Sequence, residues 1–301
     1  MSAALLSAGF VWGQAPAGDL LQRGDAAYRA GRVAEAVELF EQALRNESSS
    51  LPANMMLGII RAGQSRFDQA IGHFRAALEI DPANPHAHFY LGRLMADRQE
   101  WAKAEEHYSK ALQHGHPDRE SATIGLAAAE SQQGRAQAAQ TRLLALPKPQ
   151  EPATAAAYHA ALGLAQSKLG LTREAAGSFR KARDLQPASP AHYEELIQVL
   201  LSAGDFTAAL NEAVAAQKRF PDHAGIQFAF GVAGFRVPGS PFTRLALRNL
   251  RDTHPSDPRL IVLEGLVQLQ QGRPEQGRAA LTRAQQLGVR EAAGFLREIP
   301  E

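Results

Sequence analysis

The amino-acid sequence predicts an all-α protein, a solenoid of about eight stacked pairs of antiparallel helices, and three observations support this fold class. Glycine, alanine and aromatic residues recur at a spacing of 34 residues. Short joints rich in proline interrupt the helical pattern at the same spacing. The pattern continues over most of the 301 residues and leaves no segment for β-strands. A period of this length is typical of a repeat in which each unit is one helix pair.

The spacing is clearest for the small and aromatic residues. It holds for Gly24, Gly58 and Gly92, for Ala36, Ala70 and Ala104, for Ala43, Ala77 and Ala111, for Phe40, Phe74 and Tyr108, and in the second half for Gly231 and Gly265 and for Pro187, Pro221 and Pro255. Two helices approach closely only where side chains are small, and aromatic rings fill the space between such crossings. Each unit is therefore expected to bury its apolar faces against its neighbours.

The joints stop one helix and start the next within a few residues. In AIGHFRAALEIDPANPHAHFYLG, residues 70–92, the helical pattern breaks at Asp81-Pro82-Ala83-Asn84-Pro85 and then resumes. Proline stops a helix internally but is tolerated at a first turn, where its missing N–H is not needed. Glycine, as at Gly170 and Gly204, is suited to ending the first helix of a pair in a left-handed conformation.

With these residues the chain resembles the tetratricopeptide repeat (TPR) family. In frames that start at residues 17, 51, 85, 120, 156, 190, 224 and 258, the family's small residue at position 8, alanine at 20, aromatic at 24, alanine at 27 and proline at 32 recur. The match is strongest at Leu57-Gly58, Leu91-Gly92 and Leu162-Gly163. The departures are Arg23 in repeat one, Ile197 in repeat six, Thr243 and Leu250 in repeat seven, and Glu264 and Gly277 in repeat eight. The resemblance implies a right-handed superhelical solenoid.

The repeat frame divides the chain into five segments. They are a signal peptide at 1–17, repeats one to three at 18–118, an irregular fourth repeat with a proline-rich joint at 119–155, repeats five to eight at 156–291, and a C-terminal tail at 292–301. The fourth repeat is too long for the period, and the surplus falls in LPKPQEPAT, where Pro147, Pro149 and Pro152 preclude a regular helix. A local change of superhelix direction and a surface loop that leaves the stack undisturbed are both compatible with this joint.

The N-terminal residues bear on location. Residues 3–12, AALLSAGFVW, are apolar, and Ala15-Pro16-Ala17 has the small residues of a signal-peptidase site. We therefore expect an extracytoplasmic protein, periplasmic or secreted. The positive charge that usually opens a signal peptide is missing before Arg23. Either the true start lies upstream or this run packs as a helix, and in the latter case the chain would be cytoplasmic.

Composition and motifs exclude several classes of function. Lys plus Arg (32) nearly equals Asp plus Glu (31), so the chain lacks the excess positive charge that favours nucleic-acid binding. With no cysteine, disulfides, thiolate zinc sites and a cysteine nucleophile are ruled out. No apolar run reaches the roughly 20 residues that span a membrane.

The sequence gives no indication of catalytic chemistry. The repeats leave no room for a separate catalytic domain, and GxSxG, GxxxxGK[ST] and HExxH motifs are missing. We expect no enzyme activity, no cofactor and no catalytic residues. His86, His88, His114 and His116 would bind a transition metal only if they converged, and we expect them to be solvated residues beside helix ends.

The resemblance implies that the partner is a protein or peptide held in a concave groove lined by the first helix of each pair. Groove residues in such repeats come from positions 2, 5, 9, 12 and 13. These positions hold Met55, Ile59, Phe89, Arg93, Leu164, Lys168, Phe228, Val232, Phe235 and Arg236, with Val262, Leu266 and Leu269 in repeat eight. The groove is thus expected to be largely apolar. The alternative is that these residues pack against neighbouring helices and line no open groove.

Two functions are compatible with these residues. The first is an extracytoplasmic, non-enzymatic scaffold that binds a partner peptide or helix in its groove. The second is an architectural subunit of a larger envelope or secretion assembly that uses its convex or terminal surfaces. Phe89 and Phe228 are the expected anchors of the groove, and Arg93 would orient the ligand through a carboxylate or carbonyl.

Overall fold

The computed structural model describes residues 16–299, with side chains from residue 18. Within this range the chain forms seventeen helices and no strand, which confirms the all-α class. The predicted signal peptide lies outside the described residues except for Pro16 and Ala17, which begin the first helix. None of the described helices combines the length and the apolar character needed to cross a membrane.

The chain divides into two compact units between Pro147 and Lys148. The described part of unit 1 contains α1 (Pro16–Arg29), α2 (Val33–Asn46), α3 (Leu51–Gly63), α4 (Phe67–Ile80), α5 (Pro85–Asp97), α6 (Trp101–Gln113), α7 (Arg119–Gln132) and α8 (Ala136–Leu144). Each odd-numbered helix packs closely against the even-numbered helix that follows it, and successive pairs stack on one another.

Unit 2 repeats this arrangement. It contains α9 (Pro152–Lys168), α10 (Thr172–Leu185), α11 (Pro190–Ser202), α12 (Phe206–Arg219), α13 (Ala224–Arg236), α14 (Phe242–Thr253), α15 (Arg259–Gln270), α16 (Pro274–Gln286) and α17 (Ala292–Leu296). The first helices α11, α13 and α15 contact one another in order, as do the pairs to which they belong. The eight expected helix pairs are therefore α1 to α16.

The joints follow the predicted chemistry. Pro85 begins α5, and the side-chain oxygen of Asn84 caps that helix by accepting the N–H of Ala87 at 3.0 Å. Gly170 and Gly204, which follow α9 and α11, both have a φ of 75°, a left-handed conformation that costs glycine little. The glycine turns connect the first helix of a pair to the second. The proline joints connect one pair to the next.

Close contact between a glycine and an aromatic ring holds the helices of a pair together. In α3, a Cβ atom at Gly58 would lie 2.6 Å from Cε1 of Phe74 in α4, and both residues are buried. The same relationship joins Gly24 to Phe40, Gly92 to Tyr108 and Gly163 to Phe179. The 34-residue spacing of small and aromatic residues thus reflects one crossing repeated along the chain.

The fourth repeat departs from the predicted boundaries. Helix α8 ends at Leu144, and residues 145–151 are not helical. The sequence predicts that Pro152 prevents a regular helix, but it is the first residue of α9, which starts four residues before the predicted frame at 156. A proline is tolerated in a first turn, and Glu151 Oε2 accepts the N–H of Thr154 at 2.7 Å, which caps the helix.

The segment predicted as a C-terminal tail contains a short helix. Residues 292–296 form the short helix α17, which packs on α16. Ala292 has no exposed surface, and Phe295 is only 6% exposed. The residues after the eighth pair therefore cover part of its apolar surface, as a repeat stack requires at its end.

Candidate protein-binding groove

Unit 2 contains a groove of about 800 Å³ between its first helices and the residues that follow α16. We call this the unit-2 groove. Its main lining residues are Glu194, Glu195, Gln198, Leu201 and Ser202 from α11, Phe228, Ala229, Val232 and Arg236 from α13, Phe206, Arg259, and Arg290, Glu291, Phe295, Arg297 and Glu298 from the C-terminal segment. The volume lies within the range of pockets that bind ligands in proteins.

Helix α13 presents one face to the groove and the other to the core. Phe228, Val232 and Arg236 are four residues apart and therefore lie on one side of the helix. Ile226 and Phe230 on the other side are at most 2% exposed. The residues on the groove face differ in exposure: Phe228 is only 8% exposed, whereas Val232 and Arg236 are half-buried.

Helix α11 supplies the second wall, which the sequence-based selection missed. Glu194, Gln198, Leu201 and Ser202 occupy positions 5, 9, 12 and 13 of repeat six, and all four line the groove. The same positional rule applied to repeat six would find them. The residues selected from the sequence came from other repeats and therefore left out this mainly polar wall.

The start of α13 is the acidic end of the groove. A Cβ atom at Gly225 would lie 2.0 Å from Glu194 Oε1, so the glycine makes room for this carboxylate. Burial raises the pKa of Glu194. Its Oε1 atom lies 3.1 Å from Nδ1 of His223, but that nitrogen already accepts the N–H of Ile226. This buried oxygen has no hydrogen-bond donor among the described residues.

Arg259 is neutralised within its own joint. Its guanidinium contacts both carboxylate oxygens of Asp257, with an Nη2–Oδ2 distance of 2.6 Å, and this hydrogen bond lowers the pKa of Asp257. The guanidinium carbon also lies 5.6 Å from the ring centre of Phe228. Arg259 therefore covers Phe228 and contributes little free positive charge.

Arg236, the last residue of α13, lies at the other end of the groove. Its two terminal nitrogens bind both carboxylate oxygens of Glu298, at 2.5 and 2.7 Å. Hydrogen bonding to Arg236 lowers the pKa of Glu298. Arg236 follows Gly225 by eleven positions in the helix, a distance of roughly 16 Å at 1.5 Å per residue. The groove thus has a carboxylate oxygen without a donor at one end and an ion-paired guanidinium at the other.

The other residues of unit 2 predicted to line a groove lie elsewhere. Leu164 is half-buried and Lys168 exposed on α9, and neither borders the unit-2 groove. Phe235 packs edge-on against Phe295, with ring centres 5.9 Å apart. In repeat eight, Val262 and Leu266 have no exposed surface and belong to the core, not to a groove wall.

In unit 1 the predicted residues lie on α3 and α5 and are mainly packed. Met55 has no exposed surface, so its side chain is part of the core and cannot contact a partner. Ile59 is 9% exposed and Phe89 is 8% exposed, while Arg93 is half-buried. The Phe89 ring stacks on His116 with centres 4.4 Å apart. Side chains at these positions touch neighbouring helices, the alternative left open by the sequence.

The histidines of repeat three gather in pairs. The rings of His86 and His116 lie 4.9 Å apart, and His88 contacts His107, which no sequence pattern singles out. His88 and His116 are buried rather than solvated. Over the described residues, no group of three or more histidine, aspartate or glutamate side chains is arranged to hold a metal ion.

Solved structures with the same fold share little sequence identity with this chain. Pseudomonas aeruginosa pilF is 21% identical, covers 70% of this chain over 94% of its own, and has a TM-score of 0.53. A tetratricopeptide repeat protein from Parabacteroides merdae is 16% identical, with 93% and 97% covered and a TM-score of 0.52. A chain of the APC/C hetero-tetramer Cut9-Hcn1 is 16% identical, with 100% and 57% covered and a TM-score of 0.59. At these identities the likeness shows the fold alone.

Sequence comparison identifies the family. No curated protein matches the chain. The family model described as tetratricopeptide repeat matches residues 21–85, 55–120, 160–224 and 194–236, which together cover more than half of the chain. The matched residues include the glycine–aromatic contacts and the joints that connect the stacked helix pairs. The chain belongs to the tetratricopeptide repeat family.

Proposed function

We propose that this protein is a non-enzymatic scaffold that holds a peptide or helix of a partner protein in the unit-2 groove, outside the cytoplasm. The observation that carries the proposal is the groove itself. Phe228, Val232 and Arg236, which their positions in the repeat identify as groove residues, line one open cavity together with the equivalent positions of repeat six. Members of the family generally act through protein partners.

The chemistry of the groove suits a peptide. Val232, Ala229 and Leu201 give the groove apolar surface, Gln198 and Ser202 add polar groups from α11, and Glu194 and Arg236 lie at the two ends. Apolar area removed from water contributes about 25 cal/mol per Å², and polar groups at fixed positions orient the ligand. The carboxylate of Glu194 lies at one end, and the Arg236 guanidinium, which donates hydrogen bonds, lies at the other.

Site-specific crosslinking tests the proposal. A photoreactive amino acid placed at Val232, in the floor of the groove, should trap the partner in the native cell. The matched position is Lys218, which is exposed on the second helix α12 and does not border the groove. Adducts at Val232 but not at Lys218 support the groove. Adducts from Lys218 alone would favour the architectural alternative.

Once the partner is identified, affinity decides whether the groove binds it. Val232→Asp places a charge on the apolar floor and should weaken binding by about tenfold or more, the equivalent of about 1.4 kcal/mol. Lys218→Asp is the control and should bind normally. Because Val232 is only half-buried, thermal unfolding should show that the variant still folds. Unchanged affinity of the Val232 variant would contradict the proposal.

The extracytoplasmic location depends on the N-terminal residues. Its support is the apolar run at 3–12 and the small residues at 15–17. N-terminal sequencing of the protein from its native host should find a mature chain that begins near residue 17 or 18. A chain that begins at Met1 and remains in the cytoplasm would refute this part of the proposal.

A further inference from the structure

The basic end of the unit-2 groove is occupied by a carboxylate from outside the repeats. Arg236 and Glu298 are 62 residues apart in sequence, and they form a two-pronged ion pair with distances of 2.5 and 2.7 Å. Glu298 follows α17 and belongs to no helix pair. The contact therefore brings the C-terminal segment back onto the end of α13.

Aromatic rings hold the guanidinium in place. The Arg236 guanidinium carbon lies 5.1 Å from the ring centre of Phe295, 5.7 Å from that of Phe206 and 5.8 Å from that of Phe235. These rings come from three different helices or their ends. Such contacts stabilise a guanidinium electrostatically and restrict its orientation. Arg236 thus stays poised to receive a carboxylate whether or not Glu298 is bound.

The ion pair can exchange without unfolding the repeats. The Arg236 side chain is 25% exposed and that of Glu298 is 49% exposed, and ion pairs with this much exposure contribute little stability. Ala292 and Phe295, which are both buried, attach the segment to the core, and the carbonyl of Ile299 accepts a hydrogen bond from Arg278 at 3.1 Å. Arg259 differs, because its partner Asp257 lies two residues away in the same joint. Of these two groove arginines, Arg236 is the one whose carboxylate can be replaced.

We infer that Glu298 is an internal stand-in for a carboxylate of the partner, and that the partner is a peptide or helix that carries this carboxylate about one helical turn from an apolar side chain. This inference rests on the proposed function and specifies the ligand of the same groove. The partner's carboxylate takes the place of Glu298 on Arg236, and an apolar side chain about one helical turn away rests on Val232. Release of Glu298 accompanies binding, so the C-terminal segment competes with the partner.

The polarity of the groove sets the direction of the ligand. Val232 is one turn before Arg236, roughly 6 Å along α13, so the ligand needs an apolar group and a carboxylate at that separation. Glu194 and Glu195 at the other end repel a second carboxylate there. The acidic end of the peptide therefore points to the end of α13. The chain's own residues 290–299, REAAGFLREI, fit this description, since Phe295 precedes Glu298 by three residues.

A labelled peptide of sequence REAAGFLREI tests the inference without knowledge of the partner. Its binding to the full chain is measured by fluorescence anisotropy. Glu298→Gln removes the internal carboxylate and should raise affinity for the peptide by roughly fivefold or more, within the range of a charge-assisted, two-pronged contact. Adding Arg236→Gln to that variant should abolish the gain. The control is Glu174→Gln, a change at an exposed residue of α10 that does not line the groove, and this variant should bind the peptide as the unaltered protein does.

Three outcomes would overturn the inference. They are equal affinity of the unaltered protein and Glu298→Gln, a gain that survives Arg236→Gln, and equal binding of REAAGFLRQI, in which the peptide carboxylate is replaced by an amide. Circular dichroism confirms that each variant folds, as the exposure of Glu298 leads us to expect. If the peptide fails but crosslinking at Val232 still traps a partner, the groove binds a ligand of another chemistry. The inference would then be wrong while the proposed function stands.

Discussion

The Nδ1 atoms of His88 and His107 lie 3.0 Å apart in unit 1 and share one proton. His88 Nε2 lies 3.1 Å from the carbonyl oxygen of Pro82, which can only accept a hydrogen bond. The proton of His88 is therefore on Nε2, and its Nδ1 accepts the N–H of His107. The two rings cannot both be protonated, because two imidazolium rings would place an N–H opposite an N–H.

This pair predicts a loss of stability in mild acid. Burial first, and then the nearby charge of His88, lower the pKa of His107 to about 4, and burial also lowers the pKa of His88. Lys110 and Arg75 act in the same direction, and Glu106 opposes them. The unfolded chain, with a histidine pKa of about 6.5, binds protons first as the pH falls. Stability is therefore fully present above about pH 6.5 and declines as the pH falls towards 4.

Urea unfolding between pH 7.5 and 5.5 measures this effect. The unfolding midpoint should fall with pH in the unaltered protein, and His107→Gln should reduce the slope. That pH range keeps most carboxylates ionised, so their protonation contributes little. His254 of unit 2, which lies beside Thr253 and outside this histidine cluster, is the control position, since His254→Gln should preserve the slope. A slope that His107→Gln leaves unchanged would show that the pair is not responsible.

Gly58→Ala should destabilise the protein because the new methyl group would overlap the ring of Phe74. The Phe74 ring has no exposed surface and so has little room to move. The expected cost is about 1 to 3 kcal/mol, the usual range for overpacking. Gly72→Ala is the matched control within α4, since nothing lies within 4 Å of its added Cβ, and it should stabilise the helix by roughly 0.5 to 1 kcal/mol. Denaturant unfolding that gives the same sign for both changes would contradict this account.

Phe89→Ala and Phe228→Ala should both lower stability by roughly 3 to 5 kcal/mol, because each ring is 8% exposed and packs on its neighbours. The sequence alone suggested anchors whose removal would weaken binding and leave stability nearly unchanged. Phe228 borders the unit-2 groove, so its truncation should also weaken partner binding. Thermal unfolding of the two variants is the measurement. A small shift in melting temperature would contradict this prediction and indicate that the rings are available to contact a ligand.

Arg142→Met should cost about 2 to 3 kcal/mol because it leaves the carboxylate of Glu130 buried without its partner. The Glu130 side chain is 8% exposed, and Arg142 binds both of its oxygens at 2.7 and 3.0 Å. The double variant with Glu130→Met should recover much of the loss, since both charges are then removed. The free energies of unfolding of the single and double variants decide this, and a double variant no better than the single one would count against it.

Much of the fold could be predicted because each repeat carries the same types of residue at the same positions. Asn84 and Pro85 end one pair and open the next through contacts within a few residues. The contact between Gly58 and Phe74 has equivalents in other repeats, spaced by the length of one helix pair. The early start of α9 was missed because a single proline has opposite effects inside a helix and in its first turn.

The candidate site was only partly predictable. Position in the repeat identified the side of α13 that carries Phe228, Val232 and Arg236, since helical spacing places them on one face. The same rule also selected Met55, which has no exposed surface. Periodicity describes the direction of a side chain along one helix, whereas exposure depends on how closely the neighbouring helices approach.

The sequence by itself determined the helix pairs, their joints and the family, because these depend on residue types at short or fixed separations. Only the tertiary structure decided which of those helix faces stay open and which group fills the end of the groove. Arg236 and Glu298 are far apart in the chain and obey no period, and their contact depends on where α17 packs. A carboxylate and a guanidinium meet there because folding places both beside the same aromatic rings, a relationship that no local pattern contains.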